Sequence, residues 1–507
     1  MSVAKQTATV FATTSLILAV AAYVSGQAGG PGRLTGGGAV LQKLELVTKF
    51  DKDGDGRLNS SERHAALKFL EAHPEIRKKG RGPVGGPKKP PPPGIKLTPA
   101  DVKTYPASVS LFDPDALRTL FLEFDDQDWE KQLSAFHRTD VLLPAKLIVD
   151  GKTYRDVGVH FRGNNSFSMV SDGWKRSISL AFDFVDPKQR VGGYRGLHLL
   201  NCNQDPTMLR SVLYCEAARH YFPAPKVNFL RVVINGENWG VYANQQKFDK
   251  EFVLDFFHTT KGARWRSPNN STHGGFGYLG EDIAAYKRWY SGKSKEDPKA
   301  WADLARLCKV VDRTPPDQLA KTLEPILDLD NVLAFLALDC AVINNDGYWN
   351  DGSDFSIYED INGRFHLLPH DANEGFRPAG RGGAGVKVDP FVAVDDVNKA
   401  LRHKLLAAPE LRTRYLLLIK DIAENRLDWA KLAPIVERYR ALIAADVAID
   451  THKHFSTEEF TTGVYGVGDG SPPAASTLKG FCEQRRAYLL NHPDIKKLEF
   501  QTPDKTR

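Results

Sequence analysis

The sequence predicts an α+β fold in which a strand-rich first half and a helical second half meet at a β-hairpin, with a small helical calcium-loop unit in front. Three observations predict it. Short β-branched and apolar runs fill residues 143–234, long helix-period segments fill residues 325–490, and an acidic loop with flanking helix-like segments lies at residues 40–70. With 507 residues, 42% of them apolar, the chain can bury a large core. An aromatic content of 10% argues against general disorder. The net charge of +6 is small for this length, and its Lys and Arg are scattered, so nothing points to nucleic acid as a partner.

The N-terminus reads as a targeting segment over residues 1–28. Lys5 precedes the apolar run Val10–Val24, and the small residues Ser25, Gly26 and Ala28 follow. A positive charge, a short apolar core and a small-residue exit describe a secretory signal peptide. The run is shorter than the roughly 20 residues of a spanning helix, so export is expected, with a retained membrane anchor as the alternative. Cleavage would start the mature chain near residues 26–30. Five widely spaced cysteines form no CxxC pair, which speaks against zinc and leaves either one or two disulfides or buried thiols.

Residues 38–76 form the predicted calcium unit. Asp51, Asp53 and Asp55 stand at loop positions 1, 3 and 5, Gly56 at 6, the Arg57 carbonyl at 7 and Glu62 at 12. Calcium needs six to eight oxygens, and this EF-hand spacing lets one short loop wrap the ion. Val40–Phe50 and Arg63–Leu70 read as its flanking helices. A single such loop suits a structural or weakly sensing site. Residues 77–105 are rich in Pro, Gly and Lys and read as an extended linker that separates this unit from the large domain.

The large domain, residues 106–495, opens with predicted strands at Leu143–Val149, Val157–Phe161, Ile178–Phe184 and Phe229–Ile234. A helix over Thr207–Tyr221 is expected to start at Asp205-Pro206. Helices follow at Pro325–Ile343, Asn398–Leu406, Glu410–Asn425, Pro434–Val447 and Leu478–Leu490. Between the first two of these lies the hairpin Asp354–Asp360, turn Ile361-Asn362-Gly363, and Arg364–Pro369, whose Asn-Gly pair supplies positive φ angles. Asp346 precedes the hairpin and Asp371 follows it. Asn-Asp-Gly triplets are common turns, so Asp346 can be read as turn chemistry. It can equally be the base that receives an acceptor hydroxyl's proton, with the second Asp holding a metal on phosphates.

The motifs also resemble the spore coat protein H (CotH) kinase family of atypical secreted protein kinases. Gly158–Phe167 resembles its Arg-Gly-Asn-x-Ser loop and Trp174–Asp183 its Lys-rich strand. Leu197–Asn201, Asp205 and Leu209-Arg210 resemble its "Asp, then helix" element. Ile234–Tyr242 is similar to its Asn-Gly-Glu-x-x-Gly-x-Tyr hairpin, and Asn345-Asp346 through Asp371-Ala372-Asn373 to its catalytic stretch. The resemblance covers residues 106–490 and implies an atypical protein-kinase-like, two-lobed domain that transfers the γ-phosphate of ATP to Ser or Thr of an exported protein, with Mg²⁺ or Mn²⁺.

On that resemblance Asp346 is the base and Asp371 the nucleotide-metal ligand, with Asn350, Asp351 and Asn373 as further members of the metal shell. Arg162, Asn164 in the Gly163–Ser166 loop and Lys175 are phosphate-side candidates, Lys175 preferred and Glu216 orienting it. Asp339, at the end of an apolar run, reads as structural. The chain departs from the family at Gln246, where Glu is usual, and at Ser179 and Ala181, where Lys is usual. Those departures favour as an alternative a catalytically silent surface or coat protein of the same fold; a metal-dependent hydrolase whose acidic cluster holds two metals is a third, less favoured reading.

Overall fold

A computed structural model of the chain describes residues 43–76, 82–83, 86, 88–267, 275–352, 354–380, 383–466 and 474–498. The expected signal segment lies outside these residues. Seven strands close into a barrel: β1 (Arg118–Glu123), β2 (Leu143–Val149), β3 (Lys152–Phe161), β4 (Ile178–Ala181), β5 (Gly196–Leu200), β6 (Val227–Ile234) and β7 (Glu237–Gln246), in the order β1-β2-β3-β4-β5-β7-β6. Every pairing is antiparallel except β6 with β1, which closes the ring. Closure therefore depends on a contact between segments more than a hundred positions apart, which strand spacing does not reveal. Alternate residues, among them Leu147, Val159, Phe161, Leu180, Leu199 and Val232, fill the interior.

A second sheet, of order β11-β10-β8-β9, joins β8 (Ala263–Ser267) and β9 (Ser291–Gly292) to the expected hairpin strands β10 (Phe355–Glu359) and β11 (Phe365–Pro369). In the hairpin turn only Gly363 has a positive φ (78°), so the turn needs one left-handed residue rather than two. Helices pack around this sheet. The Leu329–Ala341 helix is buried on every side except at Asp330, which explains a segment apolar all round.

Several expected bounds shift for local reasons. The helix expected over Thr207–Tyr221 spans only Arg210–Ala218. Asp205 accepts hydrogen bonds from the backbone N–H of Thr207 and Arg210, and Met208 has φ 61°, so the preceding residues form a separate turn. The last-but-one long helix begins at Trp429, ahead of Pro434, because Asp428 caps it at Ala430. Helices at Lys250–Phe257, Pro298–Arg313 and Pro316–Leu323 were not expected. All five cysteines are buried free thiols. Among the described residues no helix is long and apolar enough to cross a membrane.

The unit around the acidic loop does not stand apart from the barrel. Of its expected first helix only Val47–Phe50 is helical among the described residues, while the second runs over Ser60–Ala72. Leu46, Leu58, Ala66, Leu67 and Leu70 share one core with the barrel interior and Phe136. The Asp140 carboxylate accepts from the N–H of Leu46 and Val47, and Arg63 donates to Asp126 (2.7 Å) and Gln132 (3.2 Å). The linker is pinned as well. The Trp174 indole donates to Lys89 O, Gly94 N–H to the Glu237 carboxylate, and Asn238 N–H to Ile95 O. A Pro-rich strap need not be a free spacer when the surface beneath offers partners for its carbonyls.

Candidate functional site

The segments that carry Asp346 and Asp371 are stitched together by their own backbones. Asp339, at the end of the Leu329–Ala341 helix, accepts hydrogen bonds from Asn344 Nδ2 (2.8 Å), Tyr348 N (2.6 Å) and the Tyr214 hydroxyl (3.3 Å). Burial pushes its carboxyl up to about 6 despite these donors. A side chain at Gly347 would strike this carboxylate, so Gly347 is required by close approach. Asp339 is thus the structural anchor of the Asp346 loop. Asn345 N donates to Glu374 O (3.3 Å) and Phe376 N to Val342 O (2.8 Å), which fastens the segment after Asp371 to the same loop.

Four carboxylates gather here. Burial raises the Asp354 carboxyl well above the usual range, and the negative charges of Asp371, Asp346 and Asp351 act in the same direction against Arg266. One Asp354 oxygen is buried without a partner. Ile343, Asp354, Asp371 and Phe376 all have φ between 51° and 57°, a left-handed backbone that costs non-glycine residues free energy. Strain of this kind concentrates at functional sites, roughly 1–3 kcal/mol per residue. The donor set, oxygen-only and anionic, fits a hard divalent cation.

Cations face these acids from two elements. Arg162, just past β3, is acted on by Asp371 and Asp354. Arg266 on β8 is acted on by the same two. Burial depresses the His370 imidazole, and Arg266 and Arg162 add to the effect. The cluster therefore lies where the barrel wall meets the second sheet.

Not every sequence candidate enters it. The Lys175 ammonium is buried, paired directly with Asp450, and donates to Val241 O at 2.8 Å. Its partner is Asp450 at the end of the Trp429–Ile449 helix rather than Glu216. Glu216 points the other way, into a small hollow of about 110 Å³ with His220, Arg426 and Lys431. It is the one residue of the Arg210–Ala218 helix that is not fully buried. Asn164 accepts from Arg138 (3.0 Å), Asn350 donates to Asn345 O, and Asn373 donates to Glu374 (3.2 Å), so these three amides serve the loops. Gln246 donates to Asp255 (2.7 Å). Sequence reasoning missed Asp354, Arg266 and the outward residues of β3 and β5. The period-2 alternation of Val157–Arg162, with His160 and Arg162 between apolar neighbours, was the available signal.

At the acidic loop, Asp51, Asp53 and Asp55 offer carboxylate oxygens within 4.8 Å of one another. Gly54 N and Gly56 N donate to Asp51 (2.7 and 2.8 Å), which closes the loop and lowers the Asp51 carboxyl. Glu62 stands outside the trio: its oxygens accept from Lys52 N (2.7 Å) and from Asn59 N (2.9 Å), the latter part of a capping box. The Arg57 guanidinium pairs with Asp55 and lies over the Phe184 ring.

The chain is thus a mixed α/β protein whose acids and bases gather between the barrel and the second sheet. A family model described as CotH kinase protein matches residues 159–489, and the chain belongs to that family. It is 23% identical over 360 residues to the inner spore coat protein H of Bacillus subtilis (strain 168), covering 70% of this chain and 91% of that protein. It is 24% identical over 271 residues to invasin CotH7 of Rhizopus delemar, covering 49% of this chain and 42% of the invasin.

Proposed function

We propose that the chain is a secreted atypical protein kinase that transfers the ATP γ-phosphate to Ser or Thr of exported proteins, with one structural Ca²⁺ at the Asp51–Glu62 loop. The observation that carries the kinase reading is the cluster in which the charges of Asp346, Asp354 and Asp371 act against Arg162 and Arg266, acids for a metal and bases for phosphates. The unpartnered Asp354 oxygen supports a cation there. Asp371 and Asp354 would hold Mg²⁺ or Mn²⁺, which would supply positive charge against the phosphates. Asp346 orients the acceptor hydroxyl and takes its proton, held in place by the Asp339 anchor. Arg162 and Arg266 balance negative charge on the phosphates. An extracellular or surface location agrees with the coat and invasin names of the two relatives. The test is incubation of the purified chain with labelled ATP and Mg²⁺ or Mn²⁺, where autophosphorylation is expected.

A second reading, a catalytically silent coat or surface protein of the same fold, is favoured by the burial of Lys175 against Asp450 and by a relative named for the spore coat. ATP binding without transfer to any acceptor would select it.

For calcium, titration calorimetry on the whole chain is expected to give one site. The intact chain is needed because the unit shares its core with the barrel. Asp53→Ala, at an exposed side chain, is expected to weaken binding at least about tenfold without loss of fold, since it removes a ligand oxygen. Glu62→Ala is expected to weaken it more severely and to lose the helix cap as well. Equal heats for wild type and Asp53→Ala would remove the calcium reading.

A further inference from the structure

The barrel interior takes Val159, Phe161, Ile178, Leu180, Leu197 and Leu199, so alternation sends His160, Arg162, Ser179, Ala181 and His198 to the outer face. The register sets His160 opposite Ser179, and Ser179 opposite His198. His160 Nδ1, Ser179 Oγ and His198 Nδ1 are buried with no hydrogen-bond partner, and Ser179 is only 1% exposed. Across the gap Arg266 Nε, Ser356 Oγ and His370 Nε2 are in the same condition. Native proteins leave few such atoms, and a patch of them on facing walls marks a place for a polar ligand. The surrounding charge favours an anion as that ligand: Arg162 and Lys247 both act on His198, opposing its protonation.

β4, the strand in the middle of this wall, offers no cation of its own here, only Ser179 and Ala181. Lys247 supplies one from two strands away. Pairing of Leu197 with Gln246 sets Lys247 level with Gly196. A Cβ on Gly196 would lie 2.9 Å from Lys247 Nζ and 3.1 Å from its Cδ, so the side chain crosses β5 through a notch that only glycine leaves open. Its ammonium then donates to Leu180 O of β4 at 2.7 Å. Two donors remain for a ligand, and Lys247 forms no ion pair among the described residues. Ala181, beside Leu180, pairs with Gly158 and Gly196 in the ladder.

We propose that Lys247, reaching through the Gly196 notch onto β4, is the lysine that grips the phosphates of the ligand in this cleft, the task for which Lys175 is unavailable. The assignment deepens the kinase reading and rests on it for the identity of the ligand as a nucleoside triphosphate. Burial lowers the Lys247 ammonium to about 8, with Asp249 and Asp183 opposing and Arg162 and Lys43 adding to the shift, as expected for an amine awaiting a counter-ion.

The experiment compares wild type, Lys247→Met and Lys247→Met/Ala181→Lys for binding of Mg–ATP and of tripolyphosphate, with thermal unfolding as the check on fold. Lys247→Met is expected to weaken both ligands roughly tenfold or more with unfolding unchanged, the loss of a charge-assisted contact. Ala181→Lys, which plants a lysine on β4 itself, is expected to recover most of that loss, as a merely structural role would not. Wild-type ATP binding with Lys247→Met unaffected, or a folded double variant with no recovery, would overturn the assignment and leave the kinase reading standing. Tripolyphosphate binding that depends on Lys247 without ATP binding would retire the kinase reading and keep the anion site. A wild type that binds neither would overturn both.

Discussion

Asp371→Ala is expected to remove metal-dependent nucleotide binding and turnover together, whereas Asp346→Asn is expected to keep nucleotide affinity and lose transfer by roughly 10²–10⁴-fold. The difference follows from the two positions. Asp371 lies beyond β11 in a left-handed conformation (φ 57°), and its charge acts directly on Arg162 and Arg266. On the proposed reading, removing it takes an oxygen from the cation and leaves those guanidiniums under-compensated. Asp346 lies on the loop that Asp339 anchors, and an amide there keeps the shape but cannot accept the proton. Nucleotide titrations with and without Mn²⁺, paired with transfer assays on both variants, read the split. Wild-type transfer by Asp346→Asn, or normal metal–ATP affinity in Asp371→Ala, would break the assignment.

Asp450→Ala is expected to destabilise the fold by about 3–5 kcal/mol, because it strands a buried ammonium. Lys175 and Asp450 have side chains only 1% exposed. The Asp450 carboxylate also accepts from His452 N (3.0 Å) and Val241 N (3.3 Å), and Gly240 leaves room for it. The pair bolts the end of the Trp429–Ile449 helix to the barrel. The double variant Lys175→Met/Asp450→Leu is expected to cost less than Asp450→Ala alone, since no lone charge is then buried. Urea unfolding of the three chains measures this. A single-variant loss below about 1 kcal/mol would mean that the pair is solvated and does not hold the domain together.

Local chemistry carried much of the site into the sequence. The acidic loop is legible because its carboxylates come from one short segment, so spacing alone brings Asp51, Asp53 and Asp55 together. The hairpin that spaces Asp346 from Asp371 is legible for the same reason, its turn residues and alternating strands being neighbours in the chain. The long apolar segment at residues 332–338 announced a buried helix.

What lay beyond the sequence are the pairings between distant residues. Lys175 read as a phosphate ligand because a lysine on a strand edge gives no sign of Asp450, 275 positions away. Lys247 gave no sign of its role because the notch at Gly196 exists only once β5 and β7 are hydrogen-bonded in register. Closure of the barrel through β1 and β6 and the docking of the acidic-loop unit on its core are likewise contacts of large sequence separation. Composition and periodicity fix which face of an element is apolar. Which faces meet, and which charges are thereby paired or left to bind something else, is settled only when burial of those faces selects one packing from many.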